Sequence, residues 1–266
     1  MAQIDFSNEF CSLDGEVMPS LEATVSVTDD GLLRGDGVFE VVRLYEGKPF
    51  VLDEHLMRLA DSARNLRLPV NVEAIREDVV RLLERTPGHN GKLRIAVTRG
   101  GRRIAMTEPM PELPATIRLA QVTYAPTRIL DGIKSLSYAS NMLATRVAQE
   151  RGFDEALLVT PHGRVLEAPT STLFWVREGR LFTTPLAEHV LASITRRIIF
   201  EVAGAEEEVI SADDISSLEE AFLASTLREV MPVAAIDDHE LPAPGPVTGN
   251  TSELVSAEID RRLAAL

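Results

Sequence analysis

Several features that mark common protein classes are scarce or absent in this sequence. Cys11 is the single cysteine among 266 residues, so the chain can form neither an internal disulfide nor a cluster of thiolate metal ligands. No apolar run approaches the ~20 residues of a membrane-spanning helix. The first residues have neither the basic nor the apolar segment of a secretory signal. We therefore expect a soluble protein in the cytoplasm that binds no membrane.

Positive charge is also scarce. Lysine and arginine total 27 against 41 acidic residues, which gives a formal net charge of −14. This balance disfavours nucleic acid and anionic membranes as partners, although a local basic pocket could still bind a small anion. The five histidines are scattered, and the sequence has no zinc-type spacing, no Walker loop and no Gly-x-Ser-x-Gly elbow. We therefore expect no metal centre and no nucleotide site of these types.

The hydrophobic pattern predicts a mixed α/β (α+β) fold. Strand-like runs are predicted at residues 38–45, 92–99, 115–124, 155–159, 165–167, 170–176 and 219–224. Helices are predicted at 54–66 (capped by Asp53), 72–85, 138–151, 193–202 and 251–264. Ala125-Pro126-Thr127 is the better of two proline-containing breaks. We predict an N-terminal α/β domain at 1–124, a linker at 125–129 and a C-terminal α/β domain at 130–266.

The segment from Asp131 to Tyr138 carries a lysine, Lys134, between a strand-like and a helix-like run. Side chains at such junctions often point into sites. A partly desolvated lysine has a lowered pKa and can attack a carbonyl to form a Schiff base. The position alone suits an ordinary solvated lysine at a helix start equally well, and the remaining candidates decide between these interpretations.

Schiff-base chemistry on an amino acid needs a cofactor such as pyridoxal phosphate, with an acid at its ring nitrogen and donors for its phosphate. Glu167 follows a short apolar run and could be the acid. Residues 193–195 begin a helix, whose N-terminus can bind phosphate. Residues 225–226 add two hydroxyls, and Arg58 could add a bidentate cation. Each also has a simpler interpretation as a solvated glutamate, a helix or turn cap, or a surface arginine.

The order of these features resembles a known family, the class IV, fold-type IV pyridoxal-phosphate enzymes. The family includes branched-chain aminotransferases, D-amino acid aminotransferases, (R)-selective amine transaminases and aminodeoxychorismate lyases. The similar segments are residues 35–40, 54–59, 134–138, 152–156, 163–167, 194–196, 225–226 and 229–233. The resemblance implies two α/β domains with the cofactor in the cleft between them, the lysine in the C-terminal one, and a homodimer whose loops complete the partner's site.

The resemblance also implies roles for particular residues. Lys134 would form the Schiff base and move the substrate proton, Glu167 would bind the pyridine nitrogen, and Tyr138 would bind the phenolic oxygen. The expected cofactor contacts as a whole are Arg58, Lys134, Tyr138, Glu167, Ser193, Ile194, Thr195, Ser225 and Thr226. Four positions depart from the family pattern and affect the substrate pocket more than the cofactor: Arg34, Ser137, Thr172 and Ser193.

The substrate depends on which group receives its carboxylate. In the similar D-amino acid aminotransferases, an aromatic hydroxyl on a strand and an Arg/His loop bind it. Here the strand residue is Phe39, which has no hydroxyl, and the loop has Arg102 and Arg103 without a histidine. We expect the carboxylate to be bound by Arg34, Arg102 or Arg103.

We predict a transaminase that acts on a D-amino acid, with (R)-primary amines as further donors, and a 2-oxo acid. The first alternative is a 4-amino-4-deoxychorismate lyase, since the loop at 99–103 and the segment 231–233 also resemble that group. A branched-chain aminotransferase comes third. From another class, a non-catalytic binding protein that retained the fold is the remaining alternative.

Overall fold

A computed structural model describes residues 5–265 and confirms the mixed α/β class. The chain divides into two compact units. Within the described residues, the first unit contains the chain up to Glu112, the segment Ile133–Tyr138, and the chain from Arg262 on. The second unit contains Leu113–Gly132 and Ala139–Arg261. Over residues 5–265, no helix combines the length and the apolar character needed to cross a membrane.

The first unit is built on a six-stranded sheet whose paired strands are all antiparallel, in the order β2-β1-β6-β5-β3-β4. The strands are β1 (Phe10–Leu13), β2 (Glu16–Pro19), β3 (Gly37–Tyr45), β4 (Lys48–Pro49), β5 (Gly91–Thr98) and β6 (Arg103–Pro109). Arg103 therefore begins a strand, although the sequence pattern placed it in a loop with Arg102. The ladder between β5 and β6 explains the difference, because it pairs Val97 with Arg103 directly across the turn.

Three helices belong to the first unit: α1 (Asp30–Arg34), α2 (Leu52–Asn65) and α3 (Val72–Arg85). The bounds predicted for α3 are confirmed, and the Asn71 side chain caps it by accepting from the Ala74 N–H at 3.1 Å. Asp53 was predicted to cap α2 and does not. The N-cap is Val51, and Asp53 lies inside the first turn, where its carboxylate binds Arg76 at 2.6 Å.

The apolar faces of α2 and α3 form one core with β3, β5 and β6. Its fully buried members include Val38, Val42, Leu44, Leu56, Leu59, Ile75, Val79, Leu82, Leu93 and Ile95. The helix positions recur at three- and four-residue intervals, and the β3 positions are separated by even numbers of residues, as amphipathic elements require. This packing fixes which face of α2 and β3 points inward, and therefore where their polar residues lie.

The second unit has a mixed sheet in the order β11-β10-β9-β12-β13-β7-β8, with β14 paired to β13. Its strands are β7 (Ile117–Thr123), β8 (Glu155–Val159), β9 (Thr172–Arg177), β10 (Arg180–Thr183), β11 (Glu206–Glu207), β12 (Glu220–Ser225), β13 (Glu229–Ile236) and β14 (His239–Glu240). The predicted strand at 155–159 is confirmed. Residues 165–167 form no strand, because Val165 makes only an isolated bridge to Val159.

The helices of the second unit are α4 (Ala139–Glu150), α5 (Ile194–Ala203) and most of α6 (Pro246–Leu263). α6 begins five residues before its predicted start at 251. A carboxylate from a distant strand explains the earlier start: Glu220 accepts from the N–H groups of Val247 and Thr248 at 3.0 and 2.7 Å. Gly245 allows this approach, since a Cβ there would lie 2.1 Å from Glu220 Cδ.

The two units have other bounds than the predicted domains. The predicted linker at 125–129 lies within the second unit, and Lys134 belongs to the first. The physical reason is that Ile133–Tyr138 pairs with β3, which the order of residues along the chain does not reveal. As folding domains, the segments 1–124, 125–129 and 130–266 stay a prediction.

Candidate active site

The lysine segment lies along the first residues of β3. The Phe39 N–H donates to the Lys134 carbonyl at 3.0 Å, and the Leu136 N–H donates to the Gly37 carbonyl at 2.9 Å. The Lys134 N–H donates to Ser62 Oγ of α2 at 3.1 Å. Glycine is required at position 37, where a Cβ would lie 2.4 Å from the Val97 carbonyl oxygen. The Lys134 backbone is thus held from two sides within the first unit.

The Lys134 side chain, which is half-buried, lies against two aromatic rings. Its Nζ is 4.5 Å from the ring centroid of Phe39 and 5.8 Å from that of Tyr138. The two rings meet edge to face, with centroids 5.3 Å apart. Three of the predicted site residues are therefore together in the structure, and the rings confine the amine to one region.

A buried cluster of ionisable groups connects Arg58 to β3. Arg58 of α2 donates through Nε and Nη2 to the two carboxylate oxygens of Glu40, each at 2.7 Å. His55 Nδ1 lies 2.8 Å from the same carboxylate. Glu40 and His55 are fully buried, and the Arg58 side chain is 15% exposed. A bidentate pair of this kind fixes the plane of the guanidinium.

The pKa values in this cluster follow from burial and the Arg58 charge. Burial alone would raise the pKa of Glu40, but the charge and hydrogen bond of Arg58, with the hydrogen bond from His55, lower it to about 2. Burial lowers the pKa of His55 despite its hydrogen bond to Glu40, and the charges of Arg58 and Lys134 act in the same direction. At neutral pH the cluster thus holds an ionised carboxylate and a neutral imidazole.

The sequence interpretation did not assign a role to Glu40 or His55. A signal was present for both. Glu40 lies on the same face of β3 as Val38 and Val42, which point to the core. Its carboxylate therefore required a partner there. His55 and Arg58 are three residues apart on the face of α2 that points inward.

In the second unit, Glu167 lies in an irregular segment after β8. The side chain is half-buried, and its Oε1 accepts from the Leu191 N–H at 3.1 Å. The Glu167 carbonyl accepts from the Leu158 N–H at 2.9 Å. The carboxylate is thus oriented by the loop that leads into α5, and Leu191 is a contributor that the sequence did not indicate.

Ser193, Ile194 and Thr195 form the N-terminus of α5, as predicted. Ser193 is the N-cap, and its Oγ accepts from the Arg196 N–H at 3.3 Å. Ile194 and Thr195 are buried. The first N–H groups of an α-helix have no acceptor within the helix, and they carry the positive end of its dipole. This end of α5 can therefore receive an anionic group such as a phosphate.

Ser225 and Thr226 lie where β12 turns into β13, and the ladder between the two strands pairs Phe222 with Pro232 and Ser225 with Glu229. Ser225 is the last residue of β12 and Thr226 the first of the turn, and both are half-buried. Ser225 Oγ accepts from the Arg228 N–H at 3.3 Å. β12 also packs against α5, so the strand that ends at Ser225 and the helix that Ser193 caps are neighbouring elements of the second unit.

A buried hydroxyl near this turn has no partner within the described part of the chain. Thr172 is 2% exposed, its Oγ1 makes no hydrogen bond, and it pairs with Ala224, the residue before Ser225. Burying an unpaired hydroxyl is costly, so such groups usually serve a ligand or an ordered water. A hydroxyl, helix N–H groups and an oriented carboxylate in this unit fit the phosphate and ring nitrogen of pyridoxal phosphate.

The three arginines expected to receive a substrate carboxylate each bind an aspartate. Arg34 pairs with Asp30 on the surface of α1. Arg102 binds Asp14 at 2.6 Å, and Arg103 binds Asp78 at 2.9 Å. In the described structure these arginines are therefore engaged, and each would have to exchange its partner to bind a substrate.

Comparison with known families gives one match over most of the chain. Residues 37–236 match the family model described as amino-transferase class IV. The matched range includes every predicted site residue except Arg34.

Two curated relatives show the same likeness over nearly their whole length. A candidate branched-chain-amino-acid aminotransferase of Methanocaldococcus jannaschii is 33% identical over 250 residues, which cover 85% of this chain and 87% of the relative. A D-alanine aminotransferase of Bacillus licheniformis is 30% identical over 271 residues, which cover 92% of this chain and 95% of the relative.

Solved structures agree with this result. A hypothetical aminotransferase from Mycobacterium tuberculosis in its pyridoxal-phosphate-bound form superposes with a TM-score of 0.87 at 27% identity, covering 95% of this chain and 99% of that one. A 4-amino-4-deoxychorismate lyase from Pseudomonas aeruginosa gives a TM-score of 0.81 at 27% identity, with 94% and 99% covered.

Proposed function

The chain belongs to the class IV aminotransferase family, whose enzymes depend on pyridoxal 5′-phosphate, and we propose that it transfers the amino group of a D-amino acid to a 2-oxo acid. An amino donor and a 2-oxo acid are the substrates of any aminotransferase. The observation that carries the proposal is the position of Lys134, whose amine lies 4.5 Å from the ring centroid of Phe39 on β3. The D-alanine aminotransferase of Bacillus licheniformis supports the choice of a D-amino acid.

Lys134 is the proposed catalytic residue. Its backbone is fixed by β3 and α2, while its side chain lies against the two rings. We propose that its amine would hold the cofactor covalently and, once the substrate's own amine has displaced it, would move a proton at the substrate's α-carbon. When bound, pyridoxal phosphate supplies the electron sink for that step. We assign Tyr138, whose ring centroid lies 5.8 Å from the amine, to the phenolic oxygen of the cofactor.

The remaining cofactor contacts divide by the group they bind. We propose that Glu167 binds the protonated ring nitrogen, since its carboxylate is already oriented by the Leu191 N–H. Phosphate is assigned to Arg58 and to neutral donors of the second unit, which are Ser193, Ile194, Thr195, Ser225 and Thr226. Glu40 positions Arg58 and is not itself a ligand in this proposal.

For the substrate carboxylate, we rank the three arginines by how easily each leaves its present partner. The Arg34 side chain is 68% exposed and its partner Asp30 38% exposed, so this pair is screened by water and weak. Arg102 is less exposed, and Arg103 binds the buried Asp78. We therefore propose Arg34 first, Arg102 second and Arg103 third. Replacing each arginine by alanine should raise the KM for pyruvate, most for Arg34, less for Arg102 and least for Arg103.

A lyase that eliminates pyruvate from 4-amino-4-deoxychorismate is the second candidate, supported by the likeness to the Pseudomonas enzyme. A branched-chain aminotransferase is the third, supported by the Methanocaldococcus relative. An (R)-primary amine is a further donor that we include in the proposal. The proposal also includes a homodimer and a location in the cytoplasm. Light scattering of the purified protein tests the dimer.

A half-reaction separates these candidates. The protein loaded with pyridoxal phosphate is mixed separately with D-alanine, L-leucine and (R)-phenylethylamine, and the visible absorbance of the bound cofactor is followed. Loss of the band with D-alanine is expected. Loss with L-leucine alone would assign the protein to the branched-chain group. A band that persists with all three donors would contradict the transaminase proposal, and turnover of aminodeoxychorismate would then establish the lyase.

A further inference from the structure

An arginine outside the predicted site, Arg228, connects three segments of the second unit. It lies in the turn between β12 and β13. Its Nη1 donates to Ser171 Oγ at 2.9 Å, and its Nη2 forms an ion pair with Glu155, the first residue of β8. Its backbone N–H donates to Ser225 Oγ at 3.3 Å. One residue thus holds together a turn, a second turn and a strand end.

The ion pair is shielded from water. The side chains of Arg228 and Glu155 are 17% and 4% exposed. Glu155 is further held by the Thr170 hydroxyl, which donates to its Oε1 at 3.3 Å, and by its place opposite Leu119 in the β7–β8 ladder. Removing one partner of a buried pair leaves the other charge uncompensated. Glu155 is therefore a fixed anchor for the guanidinium.

One of the two turns that Arg228 connects contains a proposed cofactor contact, and the other directly follows one. The turn at 168–171, closed by hydrogen bonds between Ala168 and Ser171, directly follows Glu167. The other turn contains Thr226, two residues before Arg228. We propose that Arg228 is a positioning residue, which holds the Thr226 turn and the segment after Glu167 at the spacing that pyridoxal phosphate requires. This inference rests on the proposed function, since the function assigns Glu167 and Thr226 to the cofactor.

The proposal makes a specific demand on affinity. Without the Arg228 side chain, the turn still contains the Thr226 hydroxyl, but that hydroxyl is no longer held where the phosphate binds. Pyridoxal lacks the phosphate and shares the ring. The loss of Arg228 should weaken the binding of both compounds through the segment after Glu167, but that of pyridoxal phosphate more, because only its phosphate uses Thr226. General loosening of the unit would weaken both equally.

The test measures the dissociation constants of both compounds for the full-length apo-protein and its variants. For Arg228→Gln we expect the constant for pyridoxal phosphate to rise about tenfold, because the Thr226 hydroxyl is no longer held where it can donate to the charged phosphate. The constant for pyridoxal should rise several-fold less. Arg228→Lys keeps the charge but cannot reach two acceptors with a planar fork, so its effect should be intermediate. An unchanged ratio of the two constants in Arg228→Gln would overturn the proposal.

Controls separate the possible failures. Arg177→Gln removes an ion pair to Glu208 in the same unit that touches neither turn, and it should leave the ratio unchanged. If Arg228→Gln fails to fold, Arg228→Lys and Ser171→Ala decide, and wild-type constants in both would overturn the inference. Borohydride reduction and mass spectrometry of the wild type test the proposed function separately. If no adduct formed on Lys134, the proposed function itself would be contradicted, whatever the Arg228 variants show.

Discussion

The two units provide binding groups of different kinds. In the first unit the proposed groups are charged: the Lys134 amine and the Arg58 guanidinium, the latter held by buried Glu40. In the second unit most are neutral donors, such as the α5 N-terminus and the Thr226 hydroxyl, and this unit also contains the buried Thr172 hydroxyl. Every charge in the first set lies against a partner or a ring, whereas Thr172 in the second has none within residues 5–265.

The difference follows from the cost of burial. An isolated buried charge is far more costly than an isolated buried hydroxyl, which costs about 1–3 kcal/mol in proteins. Arg58 must therefore be paired before any ligand arrives, and Glu40 does this. A neutral hydroxyl can stay buried without a partner in the ligand-free protein at a modest cost in folding free energy. We infer that Arg58 is held in place before a ligand binds, whereas the Thr172 hydroxyl gains a hydrogen bond only when a ligand or a water supplies one.

The largest expected effect tests the charged set at Lys134. Lys134→Ala should abolish covalent attachment of the cofactor and lower transamination by at least the ~10²–10⁴-fold that a positioned proton-transfer group contributes. Borohydride reduction followed by mass spectrometry measures attachment. Lys48→Ala, which removes an exposed lysine of the same unit, is the matched control. Wild-type turnover in Lys134→Ala would remove Lys134 from the site.

The next effect tests whether the first unit is organised by its buried pair. Glu40→Gln should lower the free energy of unfolding by ~3 kcal/mol, because Arg58 loses its counter-charge in a buried place. Pyridoxal phosphate should also bind more weakly. Urea unfolding of the apo-protein measures the first change, and exposed Glu46→Gln is the control. An apo-protein as stable as the wild type would show that the cluster does not organise this unit.

A matched pair of hydroxyls tests the second unit. Thr172→Val removes an unpaired buried hydroxyl, so the apo-protein should become more stable by ~1 kcal/mol. Thr183→Val removes a buried hydroxyl that donates to the Leu173 carbonyl at 2.6 Å, and it should cost a similar amount. Thermal unfolding with and without pyridoxal phosphate also measures ligand stabilisation, which should be smaller in Thr172→Val. If both variants lost equal stability as apo-proteins, the claim that the Thr172 hydroxyl has no partner in the apo-protein would be contradicted.

The smallest expected effect is the pH dependence of stability. The folded pKa of His55 lies below its ordinary value of 6.5, so the unfolded chain takes up a proton first as the pH falls below 6.5. Stability should decrease there by at most ~1.4 kcal/mol per pH unit for one proton. Glu40, with a folded pKa of about 2 against an ordinary 4.5, adds a loss only between these two values.

Urea unfolding at pH 7.5 and 5.5 measures this slope. His55→Asn should flatten it, and His162→Asn, which changes an exposed histidine, should leave it unchanged. An equally steep slope in His55→Asn would assign the pH dependence to another group.

What the sequence could predict depended on how local the signals were. The bounds of α3 follow from the Asn71 cap and a regular apolar period within fourteen residues. Lys134 and Glu167 were singled out by the motifs around them. In contrast, α6 begins early because Glu220 of β12 caps it, and no signal near residue 246 reveals that partner.

The same reasoning explains what was missed at the site. The alternation along β3 indicated that Glu40 is buried, but not that Arg58 and His55 are its partners. Thr172 was noted only as a departure from the family pattern. Its missing hydrogen bond depends on every neighbour in the sheet, which a linear pattern does not contain.

The pairing of the lysine segment with β3 also has a consequence for how the protein is made. The first unit cannot be completed from an unbroken stretch of nascent chain, because Ile133–Tyr138 must return to Gly37–Phe39 after Leu113–Gly132 has been synthesised. At ~5–20 residues per second, that interval lasts seconds, which is long compared with the formation of local helices. During it the edge of β3 has no Lys134 segment beside it. Ribosome-bound chains from which residues 133–138 have not emerged should therefore expose this edge to chaperones, and chains long enough for that segment to leave the ribosome should cover it.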